Sequence, residues 1–591
     1  MTVGAFGGVK SLRAAGTPTR KVDGRSVLAS KAQMQAVYVQ SLMARALEHF
    51  DGGRFAEVEP LCLKILAVDV RHADALYVLG MAAFKTGRNE LAVSMIRRAI
   101  AANCRQPFYH SNLGSALQAQ GKTDEAIACF ERALEVDCGH VEASFNLGNI
   151  YLGQKKLEEA AACYRRALAA KPEYPDAHCN LGNALKGLGK LEEAAASYRQ
   201  AVDLVPGNAD LWCNLGDTLH QLRRLDDAVS CFQRTLELDA KHAKACNCLG
   251  NACFDQGKLA ESIGHCTRAV ELNPEYYDAQ MNVSLLQLQQ GEFLSGWRNY
   301  GVRWKVYPAR SFVQPLWQGV AAADGPQIEG RRILIHAEQG LGDALQFMRY
   351  VPLVRDAGGT VVLDIPPRLW RLAQQLEGVD ALVPTGNPLP PFDLQCPLMS
   401  LPQAFGTTLE TIPARVPYLA APPAALEKAA RLHWPADELK VGLAWTGNAS
   451  HPKNWSRSIP LTLLEPVLRM TGVQFFSLQM GPATAEIKNV QATITDLMPM
   501  TEDMADTAAQ MAHLDLILTI DTSIAHLAGA LGRPCWLLLS SLPDWRWLLN
   551  REDSPWYPTM RLFRQAKQGE WGPVVEAVRA ALEKGIAQDS M

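Results

Sequence analysis

The chain lacks a continuous apolar run long enough to cross a membrane, because its apolar stretches are short and interrupted by polar residues. It also lacks a strong net charge: 58 Lys and Arg stand against 61 Asp and Glu, a formal net charge of −3. This balance predicts no general attraction to nucleic acid. The first residues contain no apolar stretch of the signal-peptide type, so no secretory leader is expected.

Several signatures of catalytic and metal sites are missing as well. The sequence contains no P-loop, no Ser-His-Asp arrangement and no paired motifs with zinc-ligand spacing, so neither a metal nor a bound cofactor is expected. The 14 cysteines show no disulfide pattern, since 12 lie between Cys62 and Cys266 and several recur at equal positions of a repeat. They resemble small apolar packing residues, which predicts a reducing, cytoplasmic compartment.

The first half of the chain does contain a glycine that recurs every 34 residues. A period of 34 is typical of a helix-turn-helix array that stacks into a solenoid. If repeats begin at residues 73, 107, 141, 175, 209 and 243, position 8 is always Gly, position 20 is small and position 24 is large except at Cys266. The glycines at position 8 are Gly80, Gly114, Gly148, Gly182, Gly216 and Gly250.

Small and large side chains at these spacings let the two helices of a repeat pack closely. The pattern resembles the tetratricopeptide repeat, which implies an all-α solenoid. We predict repeats over residues 36–306, after a disordered basic tail at 1–35 and before a linker at 307–330. Aromatic residues in the segment after the last repeat would close the end of the array: Trp297, Tyr300 and Trp304.

Position 6 of the repeats is Asn five times. On the inner helix these amides would line the concave groove, where a donor and an acceptor suit the backbone of an extended peptide. Alternatively, Asn-Leu-Gly is simply common in this repeat type. The predicted peptide-binding residues are Asn112, Asn146, Asn180, Asn214 and Asn282. The ladder resembles the repeats of protein O-linked N-acetylglucosamine transferases, which implies a protein or peptide partner.

From about residue 331 the pattern changes to alternating strands and helices. The apolar run at 331–336 predicts a buried parallel strand, and Gly340-Leu-Gly342-Asp343 follows it and opens a helix. Strand, Gly-rich turn and helix begin a doubly wound fold, although the glycine spacing does not fit a dinucleotide site and disfavours NAD. Further strands are predicted at 361–366, 381–384, 440–447, 475–479, 514–521 and 535–540.

The strongest functional signal is Asp521-Thr-Ser-Ile-Ala-His526, which follows a buried strand and opens a helix. Thr522 and Ser523 would offer hydroxyls and N–H groups to a pyrophosphate at the helix N terminus, and Asp521 could hold sugar hydroxyls. His526 could instead be an interior histidine that packs its helix on the sheet. In the same way, Asp343 could be only the N-cap of the helix that follows.

Two other segments carry candidate residues. The polar loop GNASHPKNWSRSIP presents Lys453 and Arg457 just after a strand, where a cation could stabilise a leaving diphosphate, although both could equally be solvated loop charges. Asp544-Trp-Arg-Trp547 follows the last predicted strand and could frame a nucleobase or fill the core.

Over residues 331–586 these motifs resemble the heptosyltransferases, which are glycosyltransferases of GT-B architecture. The resemblance implies an inverting, metal-independent transfer from a nucleotide sugar, with Asp343 as the general base. That family has Gly where this chain has Ser523, which could crowd the phosphates. The implied donor-binding residues are Gly340, Gly342, Lys453, Arg457, Asp521, Thr522, Ser523 and His526.

The predicted fold is therefore multidomain: a tetratricopeptide solenoid, then a two-lobed α/β domain of the Rossmann and GT-B type. We place an N-terminal, acceptor-side lobe at 331–430 and a C-terminal, nucleotide-sugar lobe at 431–591. The first lobe is larger in heptosyltransferases, so a short lobe joined to repeats favours a protein acceptor. The alternatives are a non-enzymatic scaffold with an inactive domain and a transferase for lipopolysaccharide or another cell-surface glycan.

Overall fold

The computed structural model describes residues 27–307, 310–320, 327–451 and 453–589. They form two compact units, one that ends at Cys248 and one that begins at Leu249. Residues 1–26 of the predicted tail lie outside the described residues, as do 308–309 and 321–326 of the predicted linker. The first helix begins at Val27, inside the predicted tail, because residues 27–51 contain no Gly or Pro to interrupt it.

Between residues 27 and 306 the chain is a series of helices joined by short turns. From residue 73 onward, each repeat starts with a helix of 13 residues and continues with one of 14 residues. These elements are α1 (Val27–Asp51), α2 (Phe55–Val68), α3 (Ala73–Lys85), α4 (Asn89–Ala102), α5 (Pro107–Ala119), α6 (Thr123–Val136), α7 (Val141–Gly153), α8 (Leu157–Ala170), α9 (Pro175–Gly187), α10 (Leu191–Leu204), α11 (Ala209–Gln221), α12 (Leu225–Leu238), α13 (Ala243–Asp255), α14 (Leu259–Leu272), α15 (Tyr277–Gln289), α16 (Phe293–Tyr300) and α17 (Arg303–Val306).

The glycine at position 8 is required by the contact between the two helices of a repeat. A Cβ atom built on Gly114 would lie 2.8 Å from the ring of Phe130, and one on Gly182 would lie 2.7 Å from Tyr198. Both partners are position-24 residues, as the spacing predicts. Such distances are too short for carbon atoms, so a larger residue would push the helices apart.

The segment after the last repeat packs against the α/β region of the same unit. Trp297 and Tyr300 of α16 are 2 % and 3 % exposed and belong to one core with residues of the first sheet. The Trp297 ring meets the Trp545 ring edge to face at 5.0 Å. The predicted closing role is thus confirmed for Trp297 and Tyr300, whereas Trp304 is partly exposed beside the Arg303 guanidinium.

In the described part of the second unit, ten strands form two parallel sheets. The first has the order β3-β2-β1-β4, and the second has the order β10-β9-β8-β5-β6-β7. The strands are β1 (Arg332–His336), β2 (Thr360–Ile365), β3 (Ala381–Pro384), β4 (Leu394–Pro397), β5 (Leu439–Ala444), β6 (Val473–Ser477), β7 (Ile494–Asp496), β8 (Leu516–Ile520), β9 (Cys535–Leu539) and β10 (Met560–Arg564). Counted from β5, the second sheet has the strand order 3-2-1-4-5-6 of doubly wound nucleotide-binding folds.

Short helices connect these strands. The single helix predicted after β1 is broken: α18 ends at Phe347, a 3₁₀ turn covers 348–350, and α19 begins at Val351 because Pro352 cannot donate a backbone hydrogen bond. The helices are α18 (Leu341–Phe347), α19 (Val351–Asp356), α20 (Pro367–Ala373), α21 (Leu401–Ala404), α22 (Pro423–Ala430), α23 (Asn454–Arg457), α24 (Glu465–Leu468), α25 (Met504–Met511), α26 (Ser523–Ala530) and α27 (Gly572–Asp589).

One core joins the two sheets. It contains Ile333 and Ile335 of β1 together with Ile517 of β8 and Leu537 of β9, whereas Leu443 of β5 lies in a separate cluster on the other face of the second sheet. Alternating side chains of a buried parallel strand fill both faces in this way. In the described part of the chain, no helix is both long and apolar enough to cross a bilayer.

Candidate functional site

The second sheet has a topological switch point between β5 and β8. In open parallel sheets, ligands bind in the crevice outside the carboxyl ends of the two strands where the strand order reverses. β5 ends at Ala444 and leads into the polar loop 446–458, and β8 ends at Ile520 and leads into the turn at Asp521. Both predicted donor-binding segments therefore leave the sheet at this crevice.

The turn after β8 opens helix α26. Thr522 is the N-cap, and its Oγ1 accepts a hydrogen bond of 3.3 Å from the Ile524 N–H. This capping bond uses one acceptor site of the hydroxyl, whose own O–H group is still a donor. Thr522 and Ser523 are partly exposed, so they lie where the resemblance predicted contact with phosphates.

Arg457 links the polar loop to this turn. Its Nη1 donates to the carbonyl of Asp521 at 2.9 Å, while its Nε is buried and has no partner among the described residues. A Cβ on Gly447 would lie 2.6 Å from Arg457 Nη2, so the glycine makes room for the guanidinium. Lys453 is exposed, with Nζ 5.0 Å from the ring of Phe254. Of the two predicted cations, Arg457 is the one held at the turn.

Asp343 lies at the start of α18 and has two partners. Its Oδ2 accepts a hydrogen bond of 2.8 Å from the Gly340 N–H, and its Oδ1 forms an ion pair with Arg546. The N-cap of α18 is Gly340 and not Asp343, which is the third residue of the helix and binds the N–H group of the N-cap. Asp343 therefore takes part in capping, but from another position than the N-cap interpretation gave it. The side chain is 22 % exposed, and a carboxylate has about four lone-pair sites, so each oxygen can accept one more hydrogen bond.

Gly342 is where α18 meets α26. A Cβ on Gly342 would lie 2.8 Å from Cδ2 of His526. The prediction that Gly342 gives a ligand access to the backbone needs correction, because its small size serves this helix contact. Gly340 is exposed, but its N–H group is bound by Asp343. Through this contact the start of α18, which carries Asp343, packs against α26, the helix that follows the turn at Asp521.

His526 is an interior residue. It is 5 % exposed, its Nδ1 lies 3.0 Å from the Tyr557 hydroxyl, and its ring stacks on Trp547 at 5.4 Å. Burial, reinforced by the charge of Arg546, lowers the pKa of His526 to about 3, so the imidazole is neutral. The packing interpretation of His526 describes it better than the predicted contact with the donor.

Asp521 and Asp544 are two carboxyl groups that interact electrostatically with each other and with Arg546. Burial, together with the nearby Asp544, raises the pKa of Asp521 to about 6. Burial alone would also raise the pKa of Asp544, but Arg546 outweighs burial and lowers it. Asp521 is therefore a carboxyl group that changes charge near neutral pH.

Sequence reasoning did not find the Arg546 network. Arg546 is 7 % exposed as a residue, and its Nε donates to Gln346 Oε1 at 2.6 Å while Nη1 donates to Asp544 Oδ1 at 2.8 Å. Its neighbours Trp545 and Trp547 are buried and fill the core. An arginine between two tryptophans after a strand was the available signal, although it does not identify Asp343 as a partner.

The first sheet has its own switch point, between β1 and β4, and an arginine fills it. Arg303 donates from Nε to Glu338 Oε2 at 3.2 Å and from Nη2 to Glu338 Oε1 at 3.0 Å. The same Nη2 donates to Ser400 Oγ at 2.6 Å. Glu338 follows β1 and Ser400 follows β4, so this side chain bridges the two strand ends. Burial raises the pKa of Glu338 despite its pairing with Arg303.

The asparagines at position 6 bind neighbouring repeats. In the first unit, Asn112 is 6 % exposed and donates to Tyr77 Oη at 2.7 Å, so it is too buried to contact a peptide. The other four are partly exposed and have partners at 2.9–3.5 Å: Asn146 with Ser115, Asn180 with Asn149, Asn214 with Lys244 and, in the second unit, Asn282 with Asn251. Three of these partners occupy position 9, which the sequence analysis did not consider.

Comparison with known proteins identifies the repeats. Family models described as "Tetratricopeptide repeat" match residues 43–105, 111–175, 179–243 and 243–276. Residues 43–276 are tetratricopeptide repeats. A curated relative, Protein FlbA of Caulobacter vibrioides (strain ATCC 19089 / CIP 103742 / CB 15), is 28 % identical over 339 residues, which cover 51 % of this chain. The match covers 55 % of FlbA, so the chain spans about half the length of this relative.

Solved structures of repeat proteins are also similar to part of the chain. YrrB, described as a TPR protein with an unusual peptide-binding site, is 25 % identical over 32 % of this chain and 97 % of its own, with a TM-score of 0.31. PilF of Pseudomonas aeruginosa is 19 % identical over 35 % of this chain and 95 % of its own, with a TM-score of 0.31.

Proposed function

We propose that the α/β region is an inverting glycosyltransferase that moves a sugar from a nucleotide-sugar donor to a hydroxyl group of a protein recruited by the repeats. The observation that supports it most is the packing of Gly342 against His526, because it sets the start of α18, which carries Asp343, against α26, the helix that follows the turn at Asp521. A base and a diphosphate site must be neighbours for the transfer, because the acceptor oxygen attacks the carbon that bears the diphosphate.

The leaving diphosphate would bind where α26 begins. The N terminus of this eight-residue helix favours negative charge, and the Arg457 guanidinium lies at the same turn with an unmet donor, Nε. These groups would stabilise the charge that develops on the diphosphate as the sugar leaves, without requiring a metal. Ser523 would add a hydroxyl where heptosyltransferases have glycine.

The nucleoside would lie further along the same edge of the sheet. A cavity of about 200 Å³ is lined by Met480 and Gly481, which follow β6, and by Met498 and Asp503, which follow β7. The polar and apolar groups in it suit a ribose or base. This position fits a nucleotide that extends from the turn at Asp521 across β5 toward β7.

The acceptor is proposed to be a protein for two reasons. Tetratricopeptide repeats support a protein-binding role. In addition, Arg303 fills the crevice between the ends of β1 and β4, where the first sheet could otherwise hold a small or lipid-linked sugar. The second reason counts against a transferase for lipopolysaccharide.

A non-enzymatic scaffold is the alternative function. One observation favours it: both oxygens of Asp343 already have protein partners, Gly340 and Arg546. Such a scaffold would have no need of nucleotide sugars, so ligand binding separates the two functions.

The test is a thermal-shift screen of the full chain against UDP, GDP, ADP, CDP and dTDP, because a ligand that binds the folded state raises its apparent stability. We expect one of these diphosphates to raise Tm and Arg457→Ala to abolish the shift. Lys453→Ala is the matched control, since it removes a cation from the same loop but not from the turn, and it should keep most of the shift. No shift with any diphosphate would refute the proposal.

A further inference from the structure

Arg546 occupies a position that the proposed chemistry does not yet use. It follows β9 on the second sheet, yet two of its three bonds reach α18, which follows β1 on the first sheet. Its partners there are Gln346, a fully buried residue, and Asp343. A residue of the proposed donor-binding lobe therefore holds the proposed base of the other lobe.

The guanidinium is fixed on every side. Nε, Nη1 and Nη2 donate to Gln346, Asp544 and Asp343 respectively, and the group lies 4.3 Å from the ring of Trp545. Burial opposes its charge, but Asp544 and Asp343 outweigh burial and raise the pKa of Arg546 above its ordinary value. The planar, permanently charged guanidinium group of Arg546 is held by these contacts and has little freedom to turn toward a substrate.

The orientation of the Asp343 carboxylate depends on the Arg546 guanidinium. The Gly340 N–H fixes Oδ2 and Arg546 fixes Oδ1, so the remaining lone pairs point in set directions. Without Arg546, Asp343 and Asp544 would lose their shared cation and repel each other, and the carboxylate of Asp343 would turn on its side-chain bonds. The base would then spend less time in the geometry that removes a proton from the acceptor.

We infer that Arg546 is the positioning residue of the base: it fixes the Asp343 carboxylate beside the diphosphate site and does not itself bind the donor. This inference rests on the proposed function. In the step concerned, the acceptor oxygen forms a bond to the anomeric carbon while the bond from that carbon to the diphosphate oxygen breaks. The diphosphate leaves with the electron pair, and Asp343 takes the acceptor proton.

The experiment uses the full chain and measures the release of nucleoside diphosphate from UDP-glucose, GDP-mannose, ADP-glucose and dTDP-glucose, with water as the acceptor. Arg546→Ala should lower kcat about 100-fold, the cost typical of a misplaced reacting group, and leave KM for the donor nearly unchanged. Added guanidinium ion should restore part of the lost rate, and Arg546→Lys should retain more activity than Arg546→Ala.

Arg564→Ala is the matched control. Arg564 is a neighbouring guanidinium that donates to the backbone carbonyls of Trp547, Leu548 and Arg551 and has no bond to Asp343. Guanidinium ion should not restore any activity that Arg564→Ala loses. Such a loss would arise because the backbone at 547–551 is no longer held by Arg564.

The possible results separate the inference from the proposed function. If the unchanged chain releases no diphosphate from any of the four donors, the transfer function fails and this inference fails with it. If the unchanged chain is active and Arg546→Ala is equally active, only the inference is overturned. A large rise in donor KM, or a loss that guanidinium ion does not rescue, would also overturn it, because Arg546 would then bind the donor or act only through folding.

Discussion

Replacing Asp521 with Asn should stabilise the protein above pH 6 although it removes a proposed ligand contact. Burial and the proximity of Asp544 raise the pKa of Asp521 from 3.8 to about 6. A raised pKa means that the folded state binds the proton more tightly than the unfolded state does. The stability that this proton contributes is complete below pH 3.8 and is lost as the pH rises through 6.

The magnitude follows from the two pKa values. A change from 3.8 to about 6 corresponds to about 3 kcal/mol between the folded and unfolded states. Part of this free energy arises from the interaction with Asp544, so about 3 kcal/mol is the upper limit for the stabilisation by Asp521→Asn. Because the amide that replaces the carboxyl group carries no charge at any pH, Asp521→Asn should have little effect at pH 4 and approach this limit above pH 7.

Hydrogen exchange measured by mass spectrometry is the assay, because a chain with two units does not unfold in one step. Wild type and variant are compared at equal pH on peptides that cover β8 and α26. The ratio of the protection factors, Asp521→Asn over wild type, should rise with pH, up to about 100-fold at pH 8. Asp515→Asn is the control, since Asp515 lies before β8, is 43 % exposed and pairs with Lys440. A ratio that stays equal from pH 5 to pH 8 would refute the assigned cause.

Three smaller predictions concern helix packing, the protonation of a buried histidine and backbone geometry. Gly342→Ala should cost about 1–3 kcal/mol of stability through its clash with His526, whereas Gly340→Ala, which meets only the Asp343 carboxylate at 3.1 Å, should cost less. Hydrogen exchange on peptides that cover α18 measures both. His526→Asn should reduce the loss of stability between pH 6.5 and pH 4, because the lowered pKa of His526 makes the folded state resist protonation. Lys155→Gly should stabilise the fold by about 1 kcal/mol and so raise Tm, since Lys155 has a φ of 60° where four of the other repeats have Gly and one has Arg223. An unchanged or lower Tm would contradict this.

The repeat half was largely predictable because its information is local. A period of 34 residues with Gly at position 8 and a large residue at position 24 specifies a contact within each repeat, and the helices begin at the predicted positions. Strands β4, β7 and β10 were not predicted. β7 has only three residues, none of them buried, and β10 is an edge strand whose apolar residues are interrupted by exposed Arg561 and followed by partly exposed Arg564.

The candidate site was predictable only where its residues follow buried strands. Asp343 and the turn at Asp521 carry such a signal. The pairing of Arg546 with Asp343 does not, because 203 residues separate them and no spacing rule relates them. Gly342 shows a second limit, since a small residue can serve a ligand or a neighbouring helix, and only the position of His526 distinguishes these roles.

The most direct test of the central claim is a crystal structure of the chain with the nucleoside diphosphate that raises its Tm. The account predicts phosphate oxygens within hydrogen-bond distance of the Ser523 N–H and the Arg457 guanidinium, with Asp343 beside them. A diphosphate bound elsewhere, for example in the cavity of about 450 Å³ that Lys428 and Asp506 line, would contradict it.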